Sequence, residues 1–524
     1  MFLHMAFRVT YSVLNADLSE LHKSYDEALK KVRASLGAEF PSHIQGKDYR
    51  SGEFITDRNP ANENEILATF HAVGEKDAET AFDVAKTAQK KWAAMGWKAR
   101  VAILKKAADL ISERNMKYSV IMSLETGKNR LESLGDVEES ADLLRYYCAQ
   151  VEEADGFARP LGKLSPNEDT RDILKPFGVF VVIAPFNFPM ALAAGMSAGA
   201  LLGGNSVILK PSQETPWSAE NLYECLRDAG MPEGVFQLLH GAGSKLGNFL
   251  ANHPKHDGIA FTGSKDVGMQ LLRSSVAGNY AKPCFVELGG KNACVISSKG
   301  DLTKAVEGVA RSAFGLTGQK CSALSRVYVH ESLKNTFAEK LIARIGQIKI
   351  GDPTRQDVYM GPIINKRAMD KFDAAVTAAK SAGRILCGGN NLRAQSEYAN
   401  GFFVPPTLIE IDHAHPVARD EHFAPLLTLH SFKTLEEGLR LANDSDYGLT
   451  AGFFSEDKSE VDYFMDQMEA GVLYANRQTG ATTGAWPGIQ SFTGWKASGA
   501  SGKGGCGPYY VWQFMREQSQ TRML

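Results

Sequence analysis

Short apolar runs alternate with amphipathic segments through the middle of the chain. Four of these runs are rich in β-branched residues and end in turn-forming residues: GVFVVIAPFNF, NSVILKPS, VFQLLHG and GIAFTGS. The segments between them, such as PWSAENLYECLRDAG and SKDVGMQLLRSSV, have the periodicity of helices. Because short strands that alternate with helices are typical of βαβ units, this pattern predicts a parallel sheet.

A second set of strands is predicted further along. The alternation restarts at Lys291, where NACVISS and RVYVH are the first apolar runs. Upstream of both sets, helices are predicted over residues 16–36, over residues 76–111 with a break at Gly96, and over residues 136–150. The last 45 or so residues are rich in glycine, serine and aromatic residues, which predicts loops and an edge strand. The fold class is therefore predicted as α/β with two sheets.

The bulk composition narrows the classes of partner. The chain has 524 residues and a formal net charge of −2, so no charge excess favours nucleic acid or an anionic membrane surface. No apolar run approaches the roughly 20 residues of a transmembrane helix, and the first residues lack the basic start of a signal peptide. The seven cysteines form no CxxC pair, so neither a disulfide framework nor a zinc site is expected, and a reducing, cytoplasmic location is favoured.

Two glycine-rich loops are candidates for a phosphate-binding turn. GAGSKLG, residues 241–247, follows one predicted strand, and FTGSKDVG, residues 261–268, follows another. Free N–H groups at a helix start favour an anion, but a plain tight turn fits either loop equally well. About 20 positions after the start of the first loop stand Phe261 and Thr262 and no acidic residue, so a standard dinucleotide fingerprint is not supported. Lys210, at the end of NSVILK, lies where open α/β folds bind ligands.

Cys321, within GQKCSALSR, is a candidate nucleophile. A loop beside Lys320 that enters a helix favours a thiolate, whereas a buried, inert cysteine is the more frequent case for any single residue. Glu287, in FVELGGKN, fits either a solvated strand end or a general base acting on water. Asn187, in APFNFP, fits either turn chemistry or an oxyanion donor. The residues alone leave these alternatives open.

Six short motifs together resemble the aldehyde dehydrogenase superfamily. APFNFP, VILKPS, FTGS, ELGGKN, GQKC and DEHFAP occur in the order and at the spacing of that superfamily, and Cys321 follows Glu287 by 34 positions. The resemblance implies two parallel-sheet α/β domains and a small oligomerisation β element, with the protein a homodimer or a higher homo-oligomer. The implied boundaries are an NAD(P)-binding domain with an N-terminal helical extension over residues 1–155 and 172–286, a catalytic domain over 287–482, and oligomerisation or bridging segments over 156–171 and 496–524.

The resemblance also implies a reaction. Cys321 resembles the nucleophile that attacks an aldehyde carbon, and the Asn187 amide with the Cys321 backbone N–H would form the oxyanion hole. Hydride then passes to a nicotinamide and leaves a thioester. Glu287 would activate the water that hydrolyses this thioester, which favours hydrolysis over transfer to coenzyme A. No metal is implied.

The cofactor residues carry over in the same way. Gln213 stands where many members have a glutamate that repels a 2′-phosphate, so NAD is expected and NADP is left open. Ala424 stands where the family usually has glycine. The implied cofactor-binding residues are Ile183, Lys210, Ser212, Gln213, Gly243, Phe261, Thr262, Gly263, Ser264, Gly289, Glu421 and Phe423.

Ser322 and the segment NRQTGA resemble the branch that oxidises L-glutamate γ-semialdehyde, a step of proline catabolism. Backbone N–H groups and a hydroxyl are suitable fixed donors for the substrate carboxylate. The branch usually reads TGAxxGxQPFGG, whereas this chain reads TGATTGAWPGIQSFTGW with about three extra residues. The implied substrate-binding residues are Glu139, Phe188, Ser322, Gly480, Ala481 and Phe492.

The altered loop leaves other functions open. One alternative is the same reaction on another carboxylated or aromatic aldehyde. Another is a catalytically silent homologue that only binds, and a cysteine hydrolase is a more distant possibility. In the first two cases the expected partner is still a small aldehyde or its analogue.

Overall fold

The structure, a computed structural model, describes residues 18–50 and 52–524. The helix predicted over residues 16–36 is observed as Ser19–Arg33, with Tyr25 and Val32 buried. The start of that prediction and the segment judged not to be a signal peptide lie largely outside the described residues.

The first large sheet has seven strands. Five of them are parallel, and a hairpin extends the sheet in antiparallel fashion at one edge. In spatial order the strands are Cys284–Glu287, Gly258–Thr262, Val179–Ile183, Ser206–Lys210, Phe236–Leu238, Ser42–Ile44 and Lys47–Tyr49. The four apolar runs of the sequence are therefore four neighbouring strands, and the predicted parallel sheet is confirmed.

The second large sheet also has seven strands. Six are parallel, and the strand at one edge is antiparallel. In spatial order they are Arg384–Cys387, Thr407–Glu410, Leu426–Phe432, Leu324–His330, Asn292–Ile296, Thr450–Phe454 and Val472–Ala475. Both large sheets are predominantly parallel, as the α/β prediction requires.

Helices cover the two sheets and pack their apolar faces into the cores. The predicted break at Gly96 is real, because this residue has a φ of +80° between two helices. The helix predicted over residues 136–150 is longer than expected. The helices after Ser19–Arg33 are Glu75–Ala94, Trp97–Glu113, Asn115–Thr126, Arg130–Glu153, Pro189–Leu202, Pro216–Ala229, Asn248–Asn252, Lys265–Ser275, Leu302–Phe314, Lys334–Ile345, Lys366–Ala382, Pro416–Arg419, Leu435–Asn443 and Lys458–Gln467.

Three small sheets complete the fold. One has the strand order Met515–Met523, Glu168–Pro176 and Ala158–Pro160, so the last strand of the chain is an edge strand and its side chains are mostly exposed. The other two comprise Ala38–Phe40, Asn62–His71 and Phe54–Asn59, and Tyr447–Gly448 with Trp495–Lys496. The domain boundaries implied by the resemblance stay a prediction.

Two features of the described ranges bear on partners. None of their helices is long and apolar enough to cross a membrane. All seven cysteines lie in these ranges, and there each of them is a free thiol.

Candidate active site

The carboxyl ends of the parallel strands place several predicted residues side by side. In the strand register, Ile183 is opposite Lys210 on one neighbour and opposite Phe261 on the other. One strand further, Thr262 is opposite Glu287. Because parallel strands end at the same edge, a ligand at this edge meets side chains that are far apart in sequence.

A cavity of about 400 Å³ opens near this edge. Thr262 and Glu287 of the first large sheet line it together with Cys321 and Ser322, which precede a strand of the second large sheet, and with Leu18 and His22 at the start of the described chain. The cavity therefore joins a candidate nucleophile to a candidate base. The predicted residues that line it are Glu139, Phe188, Thr262, Glu287, Cys321, Ser322 and Phe492.

The Cys321 thiol is partly buried at this cavity. Burial raises its pKa to about 12, and the carboxylates of Glu287 and Glu421 oppose the thiolate further. The backbone N–H groups of Ser322 and Cys321 act in the opposite direction. The resting side chain is thus a neutral thiol, and a proton must leave it before it can attack.

Glu287 ends its strand and points one carboxylate oxygen at the C-terminal segment. Its Oε1 accepts a hydrogen bond from the Gly505 N–H at 3.0 Å. Burial raises the pKa of this carboxyl to about 7, and the Gly505 bond lowers it in part. A carboxyl with such a pKa is suited to act as a general base near neutral pH.

The loop that carries Cys321 is held by Asn292. The Asn292 side-chain amide donates to the carbonyls of Cys321 at 2.7 Å and Ala323 at 2.8 Å. Its oxygen accepts from the Thr450 N–H at 3.0 Å. One buried amide therefore joins the nucleophile loop to the neighbouring strand. Sequence reasoning missed Asn292, although it stands in the ELGGKN motif.

Lys210 is buried and has a backbone carbonyl as its hydrogen-bond partner. Its Nζ donates to the Pro211 carbonyl at 2.7 Å, and burial lowers its pKa to about 8. Ser212 and Gln213 follow it, and Gln213 is exposed to solvent. Gly243 begins a single helical turn nearby in which an added Cβ meets no atom within 4 Å. The Lys210 ammonium and the open turn at Gly243 can together bind a polar, anionic group.

The start of the helix Lys265–Ser275 is a second anion-binding feature. Ser264 is its N-cap residue, and among the residues that the structure describes its side chain makes no capping hydrogen bond. The Gly263 N–H just before it donates to the Glu287 carbonyl at 3.1 Å. The first N–H groups of the helix thus lie next to the strand end that carries the candidate base.

Glu421 closes against the Gly289-Gly290 turn. Its Oε1 accepts from the Gly290 N–H at 2.9 Å, and burial raises the pKa of its carboxyl. A Cβ at Gly289 would lie 2.1 Å from Glu421 Oε2, so this close approach requires glycine. Phe423, two residues later, has a φ of +54° and packs edge-on against Phe186.

Asn187 and Phe188 stand at the entry to the helix Pro189–Leu202. Asn187 is almost fully buried, and Phe188 lines the cavity. Behind the Phe188 ring, the buried Lys128 forms an ion pair with Asp136. The other Asp136 oxygen accepts from the Ala191 N–H at 2.9 Å. The turn that carries both predicted residues is therefore anchored on its buried side.

The structure does not bring Gly480 and Ala481 to the cavity. Ala481 belongs to a core cluster, and its N–H donates to the Gly308 carbonyl at 3.0 Å. Gly480 donates to the Arg477 carbonyl. The residues that line the cavity are instead Gly484 and Ala485. Across residues 18–50 and 52–524, the N–H groups of these two residues have no hydrogen-bond partner.

Arg477 orients these two free amides. Its guanidinium donates to the carbonyls of Thr483 and Gly484, each at 3.0 Å. None of the described peptide bonds is cis, so the N–H that follows each carbonyl points the opposite way. The N–H groups of Gly484 and Ala485 are thus both directed away from the guanidinium.

A repeat in the sequence explains the displacement. TGATTGA contains two TGA triplets, and TGAxxGxQPFGG fits from Thr483 onward without an insertion before Phe492. The extra residues then precede the second triplet. Counting back from Phe492 is the sequence signal that favours Gly484 and Ala485, although Ser491 and Thr493 still depart from the branch pattern and the pattern alone does not decide between the triplets.

The chain is similar to several known proteins. A 1-pyrroline-5-carboxylate dehydrogenase of Geobacillus sp. (strain WCH70) is 34% identical over 508 residues, which is 96% of each chain. A solved 1-pyrroline-5-carboxylate dehydrogenase from Thermus with bound NAD superposes with a TM-score of 0.93 at 30% identity over 100% of both chains. Proline utilization A from Bdellovibrio bacteriovorus gives a TM-score of 0.92 at 33% identity over 98% of this chain, which spans 53% of that longer chain.

The family model for aldehyde dehydrogenases matches residues 48–519. This match covers the six motifs quoted from the sequence, the five parallel strands of the first large sheet and the whole second large sheet. The chain therefore belongs to the aldehyde dehydrogenase family, and the resemblance of its motifs is confirmed.

Proposed function

We propose that this enzyme oxidises L-glutamate γ-semialdehyde, the open form of 1-pyrroline-5-carboxylate, to L-glutamate with NAD. One observation carries the proposal: a single cavity is lined by the Cys321 thiol, the Glu287 carboxyl of raised pKa and two residues, Gly484 and Ala485, whose backbone N–H groups are free. An aldehyde that also carries a carboxylate is the ligand that such a cavity complements. The names of the similar proteins support the same substrate and place it in proline catabolism.

Cys321 attacks the aldehyde carbon as a thiolate. Since burial holds its pKa high, the free enzyme keeps a thiol, and the thiol proton passes to solvent as the sulfur bonds to the aldehyde carbon. The oxygen of the adduct becomes an alkoxide, for which the Asn187 amide and the Cys321 N–H are the proposed donors. Asn292 keeps the backbone of this loop in place during the step.

The groups around the carboxyl edge fit a dinucleotide. Lys210 with Ser212 and Gln213 would hold the adenine-side ribose, and the Ser264 helix start would meet the pyrophosphate. The remaining proposed contacts are Ile183, Gly243, Phe261, Thr262, Gly263, Gly289, Glu421 and Phe423. When bound, NAD supplies the hydride acceptor for the oxidation.

Glu287 serves the hydrolytic half of the reaction. Its carboxylate takes a proton from the water that attacks the thioester, and glutamate leaves from Cys321. With a pKa raised to about 7, half of this carboxyl is in the basic form near neutral pH. The hydrogen bond from the Gly505 N–H fixes the orientation of the Glu287 side chain.

The amino-acid end of the substrate is held by groups of opposite character. The N–H groups of Gly484 and Ala485 and the Ser322 hydroxyl bind the α-carboxylate. Glu139, on the helix Arg130–Glu153, binds the ammonium group. Phe188 and Phe492 cover the aliphatic chain between them.

The protein is further proposed to act as a homodimer or a higher homo-oligomer in the cytoplasm. The strand Met515–Met523 is an exposed sheet edge that a second copy can pair with. Leu164, in the loop before the neighbouring strand, is fully exposed. Seven free thiols are typical of a reducing compartment.

The test is a comparison of kcat/KM for pyrroline-5-carboxylate and for propanal, each with NAD and with NADP. The proposal expects pyrroline-5-carboxylate to exceed propanal by at least about a hundredfold, since a buried charge pair and hydrogen bonds to a carboxylate are strong discriminators. Equal values would contradict the substrate and favour another aldehyde. If addition of an aldehyde gives neither NADH nor NADPH, a catalytically silent homologue is favoured.

A further inference from the structure

We propose that Asp142 and Trp486 are positioning residues that set the separation between the two charged ends of the amino-acid subsite. Glu139 is the acceptor at the ammonium end, and the Gly484 and Ala485 amides are the donors at the carboxylate end. These groups lie on different parts of the fold, one on a helix and the other on a loop. The inference rests on the proposed function. It names the contact that keeps the helix with Glu139 and the loop with the two amides at a fixed separation.

The helix presents one face to this loop. Glu139, Asp142 and Tyr146 are spaced by three and four positions, so their side chains share a face of the helix Arg130–Glu153. Glu139 lines the cavity, while the other two point past it toward the loop. The same helix thus carries a ligand group and, one and two turns later, two groups that hold the loop.

The first tie is a hydrogen bond. The Trp486 indole Nε1–H donates to Asp142 Oδ2 at 3.0 Å, and the Arg145 guanidinium donates to Asp142 Oδ1 at 3.2 Å. Asp142 is buried, and Trp486 immediately follows Ala485. A hydrogen bond to a buried, paired carboxylate is among the stronger ones. Displacement of Trp486 would therefore move the neighbouring amide donors.

The second tie is a close contact. Gly488 has a φ of +76°, and an added Cβ would lie 3.0 Å from the Tyr146 ring. The backbone of the loop therefore rests on that ring. Pro487, between Trp486 and Gly488, is buried and restricts the backbone further. Trp486 and Gly488, the first and third residues after the amide pair, are thus tied to the helix that carries Glu139.

The ties act on the substrate only through the groups that they position. Asp142 and Trp486 do not belong to the cavity lining in the described chain. Simple aldehydes have no charged end, so they do not use the separation between Glu139 and the amide pair. Amino-acid aldehydes use Glu139 and the amide pair at the same time, so they bind weakly when the loop is displaced from the helix.

The experiment compares wild type with W486F, D142A and D142N, using pyrroline-5-carboxylate and propanal with saturating NAD. W486F removes the donor and keeps an aromatic ring, and D142A removes the acceptor. D142N keeps an oxygen that can accept the indole N–H. W495F is the matched control, because Trp495 is an exposed tryptophan in the strand Trp495–Lys496, away from this loop.

For W486F and D142A we expect KM for pyrroline-5-carboxylate to rise about tenfold, with kcat and the kcat/KM of propanal within twofold of wild type. D142N and W495F should stay within about threefold of wild type. Unchanged KM in W486F, in a wild type that prefers pyrroline-5-carboxylate, would overturn the inference and leave the proposed function standing. An equal loss with both substrates would also overturn it, since that is the mark of a merely structural role. A wild type without any preference would overturn the proposed function itself.

Discussion

The Nζ of Lys128 lies 3.9 Å from the centroid of the Phe188 ring, so the lysine lies behind a residue that lines the active-site cavity. The ammonium is fully buried and paired with Asp136 at 2.5 Å. Burial lowers the pKa of Lys128 and raises that of Asp136, so the attraction between them offsets a desolvation cost on both sides. Asp136 also accepts a hydrogen bond from the Ala191 N–H, in the first turn of the helix that follows Phe188.

Removal of one partner of this pair should be worse than removal of both. K128M leaves a buried carboxyl without its cation, and we expect it to lose about 3–5 kcal/mol of stability. K128M/D136N keeps an oxygen for the Ala191 N–H and should recover most of that loss. Chemical unfolding, together with kcat/KM for pyrroline-5-carboxylate, checks this. A double variant as unstable as K128M would contradict it.

C321A should abolish aldehyde-dependent NADH formation, because it removes the proposed nucleophile and because burial, with the nearby Glu139 and Glu287, raises the pKa of the other cavity thiol, Cys506, well above its ordinary value. Binding of NAD, followed by quenching of protein fluorescence, should stay within about twofold of wild type. C321S is the matched control, with a hydroxyl that is far less nucleophilic. Residual activity of C321A above about one per cent would contradict the assignment.

E287Q should separate the two halves of the reaction. Hydride transfer precedes water attack, so a pre-steady-state burst of NADH should remain while the steady-state rate falls about a hundredfold or more. In the wild type, the hydrolytic rate should rise with pH through about 7, since the carboxylate is the active form. E287Q should lose that rise. A missing burst would place Glu287 in the first half-reaction instead.

The same carboxyl predicts a pH-dependent stability. The folded-state pKa of Glu287 is raised from 4.5 to about 7, so the folded protein holds a proton that the unfolded chain releases between these values. Stability is therefore lost as pH rises through this window. E287Q, which cannot ionise, should melt at a higher temperature than wild type at pH 8 and at the same temperature at pH 4. A difference in Tm that is independent of pH would contradict this.

N292A should weaken both the fold and the reaction. It leaves the carbonyls of Cys321 and Ala323 and the Thr450 N–H without their partner, at about 1–3 kcal/mol for each buried group. We expect a lower Tm and a lower kcat for all aldehydes. N292D keeps the acceptor for Thr450 but not the two donors, so a kcat close to wild type in N292D would contradict the role of the donors.

Q213E should sharpen the choice between cofactors. A carboxylate at this exposed position repels a 2′-phosphate and tolerates a 2′-hydroxyl. The ratio of kcat/KM for NAD over NADP should therefore rise about tenfold or more, through the KM for NADP. Q213A, which adds no charge, should leave the ratio within about threefold. An unchanged ratio in Q213E would remove Gln213 from the cofactor site.

Much of the fold could be predicted because the relevant signals are local. The β-branched runs and turn residues that end them identify the strands, and Gly96 ends a helix through its own backbone conformation. The ends of parallel strands then bring Ile183, Lys210 and Glu287 to one edge by topology alone. Asn292, Lys128 and Asp136 were not predicted, because each acts through a partner that is remote in sequence or hidden in the core.

By itself the sequence determined the family and the α/β fold class and predicts the residues that carry the reaction, since motif order and hydrophobic period are written along the chain. It did not determine which of two TGA triplets faces the substrate. The triplets have the same residues and differ only in what packs against them. The Gly308 carbonyl binds the Ala481 N–H and draws the first triplet into the core, while Arg477 holds the Thr483 and Gly484 carbonyls and leaves the amides of the second triplet free. That choice depends on contacts across the fold, so only the tertiary structure decided it.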